Sequence, residues 1–180
     1  ADCRVIAAWG LRANLATVLW LLGRTDEAER EWTQVLGEEP TNGNALFGMA
    51  CLASARGQPG GAMDFLERSV ASSVAPGGAH LELAWLLAVC SEDGRRNGAR
   101  AESLVRRAMG SSAVSPVRAL DALAAAQAEQ GHFKEAVATA EKAIALAKQM
   151  GDTAAARTIE ERLTLYEQGK PFRLIVPPSP

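Results

Sequence analysis

The chain has 180 residues, room for one ordinary domain or a short array of repeats, and its formal charge of −2 excludes a generally basic protein. Bulk electrostatic attraction to nucleic acid or anionic lipid is therefore not expected. Rich in Ala, Leu, Glu and Arg and only 5% aromatic, the composition favours helices.

Leu15, Gly23, Ala28, Trp32 and Leu36 recur after 34 residues as Met49, Gly57, Ala62, Leu66 and Val70. A fixed offset of this kind marks helix–turn–helix units that bury their apolar faces only by stacking on their neighbours. At the start, Ala1 is followed by no basic n-region with a cleavage site, so no signal peptide is expected; the lack of an initiator Met points to a piece of something longer. The apolar run from Val5 to Leu22 carries Arg12 and Asn14 at its middle, which lipid would penalise, so a buried solenoid helix is predicted there. The first unit spans about 9–42. Leu15, Ala16 and Leu19 are spaced to share its inward face, and Gly23 closes the first helix. Thr25-Asp26 opens the second helix, Ala28 and Trp32 face inward, and Pro40 ends the unit.

A second unit, about 43–76, repeats the plan through Met49, Ala50, Gly57, Ala62 and Leu66. Its breaker-rich stretch Gly57-Gln58-Pro59-Gly60-Gly61 reads as a loosened repeat turn: no strand precedes it and no Lys-Ser/Thr follows, as a phosphate-binding loop requires. In the third unit, about 77–116, Leu83, Ala84 and Leu87 fall on schedule, but Ala101 follows Ala62 by 39 residues. About five residues are thus inserted around Ser91–Asn97, which usually lengthens a loop on one face. The fourth unit, about 117–150, fits through Leu120, Leu123, Ala124, Gly131, Phe133, Ala136, Ala140 and Ala143. An amphipathic helix over about 152–168 is expected to cap the array, and 169–180, broken by Gly169, Pro171 and Pro177-Pro178, to be an extended tail.

These positions resemble the tetratricopeptide repeat (TPR), most clearly through Ala28, Trp32 and Pro40 in the first unit and Phe133, Glu135 and Ala136 in the fourth. Ala16, Ala50, Ala84 and Ala124 stand where the repeat prefers Gly, and Val74 where it prefers Pro. The resemblance implies an all-α, right-handed TPR superhelical solenoid of about four helix–turn–helix units plus a C-terminal capping helix. The second half, through Leu86–Cys90, Asn97–Ala101, Leu120–Ala126, Gly131–Ala140 and Leu165–Arg173, is also similar to the C-terminal TPR segment of bacterial envelope proteins. That similarity implies a bacterial scaffold of the cell envelope or cytoplasm, with membrane-protein association only through a larger complex or parent chain.

On the TPR plan the first helix of each unit lines a concave groove where a protein or peptide partner binds. The residues this assigns are Asn14, Thr17 and Trp20, then Phe47, Cys51 and Ser54, then Glu82 and Trp85, then Arg118 and Asp121. Their mainly apolar and aromatic character suits an apolar segment. Ala13 and Thr17 stand where TPRs that grip a C-terminal carboxylate carry Lys and Asn, so that clamp is not expected. No cofactor, metal, nucleic acid or catalysis is expected. The three cysteines, Cys3, Cys51 and Cys90, form no C-x-x-C pair and read as buried or half-buried thiols; His80 and His132 make no metal set. Arg95, Arg96, Arg100, Arg106 and Arg107 lie among Glu92, Asp93 and Glu102 and read as a solvated, partly self-neutralised face. Three rival roles remain at this level: an accessory domain of a membrane-anchored glycosyltransferase-like protein, a nucleic-acid or phosphate binder through the Arg95–Arg107 face, or a structural subunit docked by the Leu174–Pro178 tail.

Overall fold

The computed structural model describes residues 3–92, 94–111 and 114–174, with side chains from Trp9 onward. Among these residues there are nine helices and no strand: α1 (Cys3–Leu21), α2 (Thr25–Glu38), α3 (Gly43–Ala55), α4 (Pro59–Ala71), α5 (Gly77–Val89), α6 (Gly98–Ala108), α7 (Pro116–Glu129), α8 (Phe133–Gln149) and α9 (Thr153–Glu167). They fall into two compact units, one ending at Ala79 and the other beginning at His80.

In the first unit α1 packs on α2, α3 on α4, and α3 also meets α1 and α2. Gly23 and Gly57 end the first helix of each pair at φ 76° and 70°, a left-handed turn that a Cβ would strain. Asn42 caps α3 by accepting the Ala45 amide at 3.0 Å. Thr25 is the first residue of α2 and not its cap; Arg24 holds that place, with Asp26 and Glu27 in the first turn. Pro59, Gly60 and Gly61 are inside α4, because Pro at the first helical position gives up an amide that would have no partner anyway. The turn is therefore shorter than its composition suggested.

Small residues set the helix spacing. Ala13, Ala16, Ala28 and Ala45 are fully buried, with Trp32 filling the space between helices at 1% exposure. Gly48 of α3 faces the Trp32 ring so closely that a Cβ there would lie 2.1 Å from Cε2. Leu15 departs from expectation: it is 52% exposed, and with Leu11, Val18 and Leu22 it forms an outward apolar row on α1 and its end. Thirty-four residues later the first three of these places hold Ala45, Met49 and Leu52, buried or half-buried on α3 beside α2. Among the described residues no helix packs on the corresponding side of α1.

The second unit is built from α6 on α7, α7 on α8 and α8 on α9. Its core is unusually fine-grained, with Ala124, Ala128, Ala136, Ala140, Ala143 and Ala147 closed at one end by Ile159 and Tyr166. Gly98, at the start of α6, would put a Cβ 2.8 Å from the Ala126 carbonyl oxygen, so this crossing also needs a minimal side chain. Asn97 and Asp152 cap α6 and α9 by accepting the Arg100 and Ala155 amides, each at 2.9 Å. Beyond Gly169 the chain is non-helical through Leu174 and returns to the end of α5, where the Leu174 amide donates to the Val89 carbonyl at 2.7 Å. Ile175 onward, the remainder of the expected tail, lies outside the described residues, as do Asp93 and the side chain of Cys3.

Candidate functional site

Six of the expected partner-facing residues belong to the first unit and four to the second. In the first, α1 and α3 lie side by side. Asn14, Thr17 and Ser54 are exposed, while Trp20, Phe47 and Cys51 are half-buried. Trp20 stacks at 6.2 Å, tilted 48°, on the buried Trp32, so one side is held by the core and the other stays near the surface. The tip of the Phe47 ring meets the backbone at Gly78, where a Cβ would approach to 3.0 Å. Thr17 returns its hydroxyl to the Ala13 carbonyl at 3.1 Å.

In the second unit the assigned residues are engaged with other parts of the chain. Glu82 of α5 pairs with Arg118 of α7 at 2.5 Å, an exposed contact of small energetic weight. Asp121 of α7 pairs with Arg162 of α9 at 2.5 Å, both side chains about 15% exposed. Burial pushes the Asp121 carboxyl above its ordinary value and outweighs the opposing pull of Arg162. One Asp121 oxygen is buried without a hydrogen-bond partner, in keeping with that direction. The Tyr166 hydroxyl is raised too, by burial first and then by the Asp121 charge.

Trp85 lies under the chain's own C-terminal segment. Its ring is 6.0 Å from that of Phe172, and the Arg162 guanidinium lies 4.7 Å from the Trp85 centroid and 5.1 Å from that of Phe172. Arg173 adds an ion pair to Glu129 at 2.5 Å, and Glu129 also receives Arg96 at 3.0 Å. Sequence reasoning missed Phe172, Arg173, Arg162 and Glu129. An aromatic and an arginine directly after a helix-ending Gly169 and Pro171 were the available signal.

The basic stretch is neutralised in several places: Arg95 pairs with Glu92 at 2.8 Å, Arg106 with Glu102 at 2.6 Å, and Arg96 turns inward to the Cys90 carbonyl at 2.8 Å. Hydrogen bonds from Gln130 and Arg106 hold the Glu102 carboxyl below its usual range. Among the described residues no group of three His, Cys, Asp or Glu could hold a metal, and no helix is long and apolar enough to cross a membrane.

Residues 9–34 and 119–154 each match a tetratricopeptide repeat family model. The chain carries tetratricopeptide repeats. No curated protein matches its sequence. Among solved structures, a TPR protein named YrrB, described as having an unusual peptide-binding site, superposes with a TM-score of 0.60 at 13% identity over 87% of this chain and 85% of that one. MamA superposes with a TM-score of 0.60 at 17% identity, over 89% of this chain and 88% of its own. Both likenesses speak for the all-α TPR solenoid fold. A chain built of these repeats is a scaffold for protein interaction.

Proposed function

We propose that this TPR scaffold takes a partner segment on the α1–α3 face of its first unit, by recognition and without bond-making. Trp20 and Phe47 are the apolar anchors in this reading, and Asn14, Thr17, Cys51 and Ser54 form the polar margin. The observation that carries it is the contrast between the two sets of assigned residues. In the first unit the half-buried rings of Trp20 and Phe47 stand on α1 and α3 with exposed Asn14, Thr17 and Ser54, whereas Glu82, Trp85, Arg118 and Asp121, themselves half-buried or exposed, are taken up by ion pairs and by Phe172. Half-buried aromatics held by a core are rigid before a partner arrives, so less ordering entropy is lost on binding. The partner of matching chemistry is a peptide segment with one or two large apolar side chains flanked by hydrogen-bonding groups.

Selection of random displayed peptides on the full chain tests this, followed by titration of the best peptide against Phe47→Ala. Selected sequences should carry apolar anchors, and Phe47→Ala should weaken them about tenfold or more, the loss expected of a central anchor. Unchanged affinity in a variant with wild-type helicity would remove the α1–α3 face from the account.

A further inference from the structure

We propose that the face of the second unit formed by α5, α7 and α9 is a binding site for an extended segment of aromatic–arginine–aliphatic sequence. Phe172-Arg173-Leu174 fills that site in cis, and a competing segment enters only by displacing it. This inference is independent of the α1–α3 reading.

Three consecutive residues of the segment make three different kinds of anchor. Phe172 stacks by Trp85 and Arg162, Arg173 pairs with Glu129, and the Leu174 amide donates to the Val89 carbonyl at the open end of α5. Ring contact, charge pair and main-chain hydrogen bond in succession are how extended peptides are commonly held. The receiving groups are fixed by partners outside the segment. Asp121 holds Arg162 at 2.5 Å, and Arg96 holds Glu129 at 3.0 Å and is itself anchored on the Cys90 carbonyl. Vacating the face therefore leaves its cation and its carboxylate in place, as a binding site requires and mere core filling does not.

The segment itself is lightly held. Pro171, Phe172, Arg173 and Leu174 are all only half-buried and carry no helix, and the hinge before them is Gly169 at φ 68°. Its advantage is attachment, because a short tether supplies an effective concentration of roughly millimolar. A free segment of the same chemistry must overcome that advantage, so the site is closed to weak ligands and open to strong or abundant ones.

The test uses the full chain and a full-length double variant, Phe172→Ser with Arg173→Ser, titrated with fluorescein-labelled Lys-Pro-Phe-Arg-Leu and read by anisotropy. The variant should bind the peptide saturably and wild type about tenfold more weakly or worse. A peptide with Ala in place of Phe should bind neither, and Phe47→Ala should not alter the result, which keeps failure here separate from failure of the α1–α3 reading. A variant with wild-type helicity and melting temperature that binds no better than wild type overturns the proposal. Should the variant unfold, amide hydrogen exchange on wild type decides. The Leu174 amide should exchange faster than the core amides of α7 and α8, and faster still with excess unlabelled peptide; exchange only at the rate of global unfolding overturns the proposal.

Discussion

Gly48→Ala and Gly37→Ala are the same chemical change on neighbouring helices, and the structure gives them opposite signs. Both glycines are inside helices, so Ala gains up to about 1 kcal/mol of helix propensity at each, less at Gly37 near the end of α2. Around Gly37 an added Cβ meets nothing within 4 Å. At Gly48 it meets three indole atoms of Trp32, Cε2 at 2.1 Å, Cζ2 at 2.4 Å and Cδ2 at 2.6 Å. The ring would have to retreat by more than about 1 Å through a close-packed interior. It is 1% exposed and has the Trp20 ring stacked against it, so it has nowhere to go. Overpacking of this kind costs about 1–3 kcal/mol, and the rigid indole places it at the upper end, leaving a net loss of about 1–2 kcal/mol. Urea unfolding followed by tryptophan fluorescence and circular dichroism should show Gly48→Ala less stable by that amount and Gly37→Ala slightly more stable than wild type. Equal gains at both positions would refute the close α2–α3 crossing on which the first unit rests.

Asp121→Asn removes a buried titrating group. Because the folded carboxyl lies above its ordinary value, near 3.8 in the unfolded chain, its contribution to stability is full below about pH 3.8 and is lost as pH rises through the folded value. Unfolding free energies across the acid range should therefore show wild type's margin over the variant narrowing as pH rises; a widening margin would mean that Arg162 outweighs burial. Leu15→Glu with Val18→Glu should leave stability within about 0.5 kcal/mol, since both sites are more than half exposed, while reducing binding of a hydrophobic dye. A large loss of stability would place that side of α1 inside a core. Glu29 is held below its usual range by the hydrogen-bonded Arg56, so what it contributes is lost as pH falls through its folded value. At an exposed pair this is small, and Glu29→Gln should shift the melting temperature little at neutral pH.

What sequence could reveal followed from repetition. Ala16, Ala50, Ala84 and Ala124 recur at matching places in the units and are all at most 1% exposed. The expected start of the last helix near residue 152 also holds, because Asp152 caps it by accepting the Ala155 amide. Leu15 misled because its place in the repeat is covered by a preceding helix, and whether one is present is not written in the residue itself. The breaker-rich stretch at Pro59 misled because proline and glycine counts do not separate the first turn of a helix from a loop. The returning C-terminal segment was the least legible. Its five or so non-helical residues carry no periodicity, and the groups that receive them, Trp85, Glu129 and Arg162, are scattered along α5, α7 and α9. Only the folded chain brings them together.

The central claim concerns which surface of the first unit meets a partner. Amide chemical-shift mapping of the labelled full chain with a selected peptide tests it most directly. The account predicts shifts concentrated at Asn14, Thr17, Trp20, Phe47, Cys51 and Ser54 on α1 and α3. Shifts confined to the outer sides of α2 and α4, with those six residues unmoved, would contradict it.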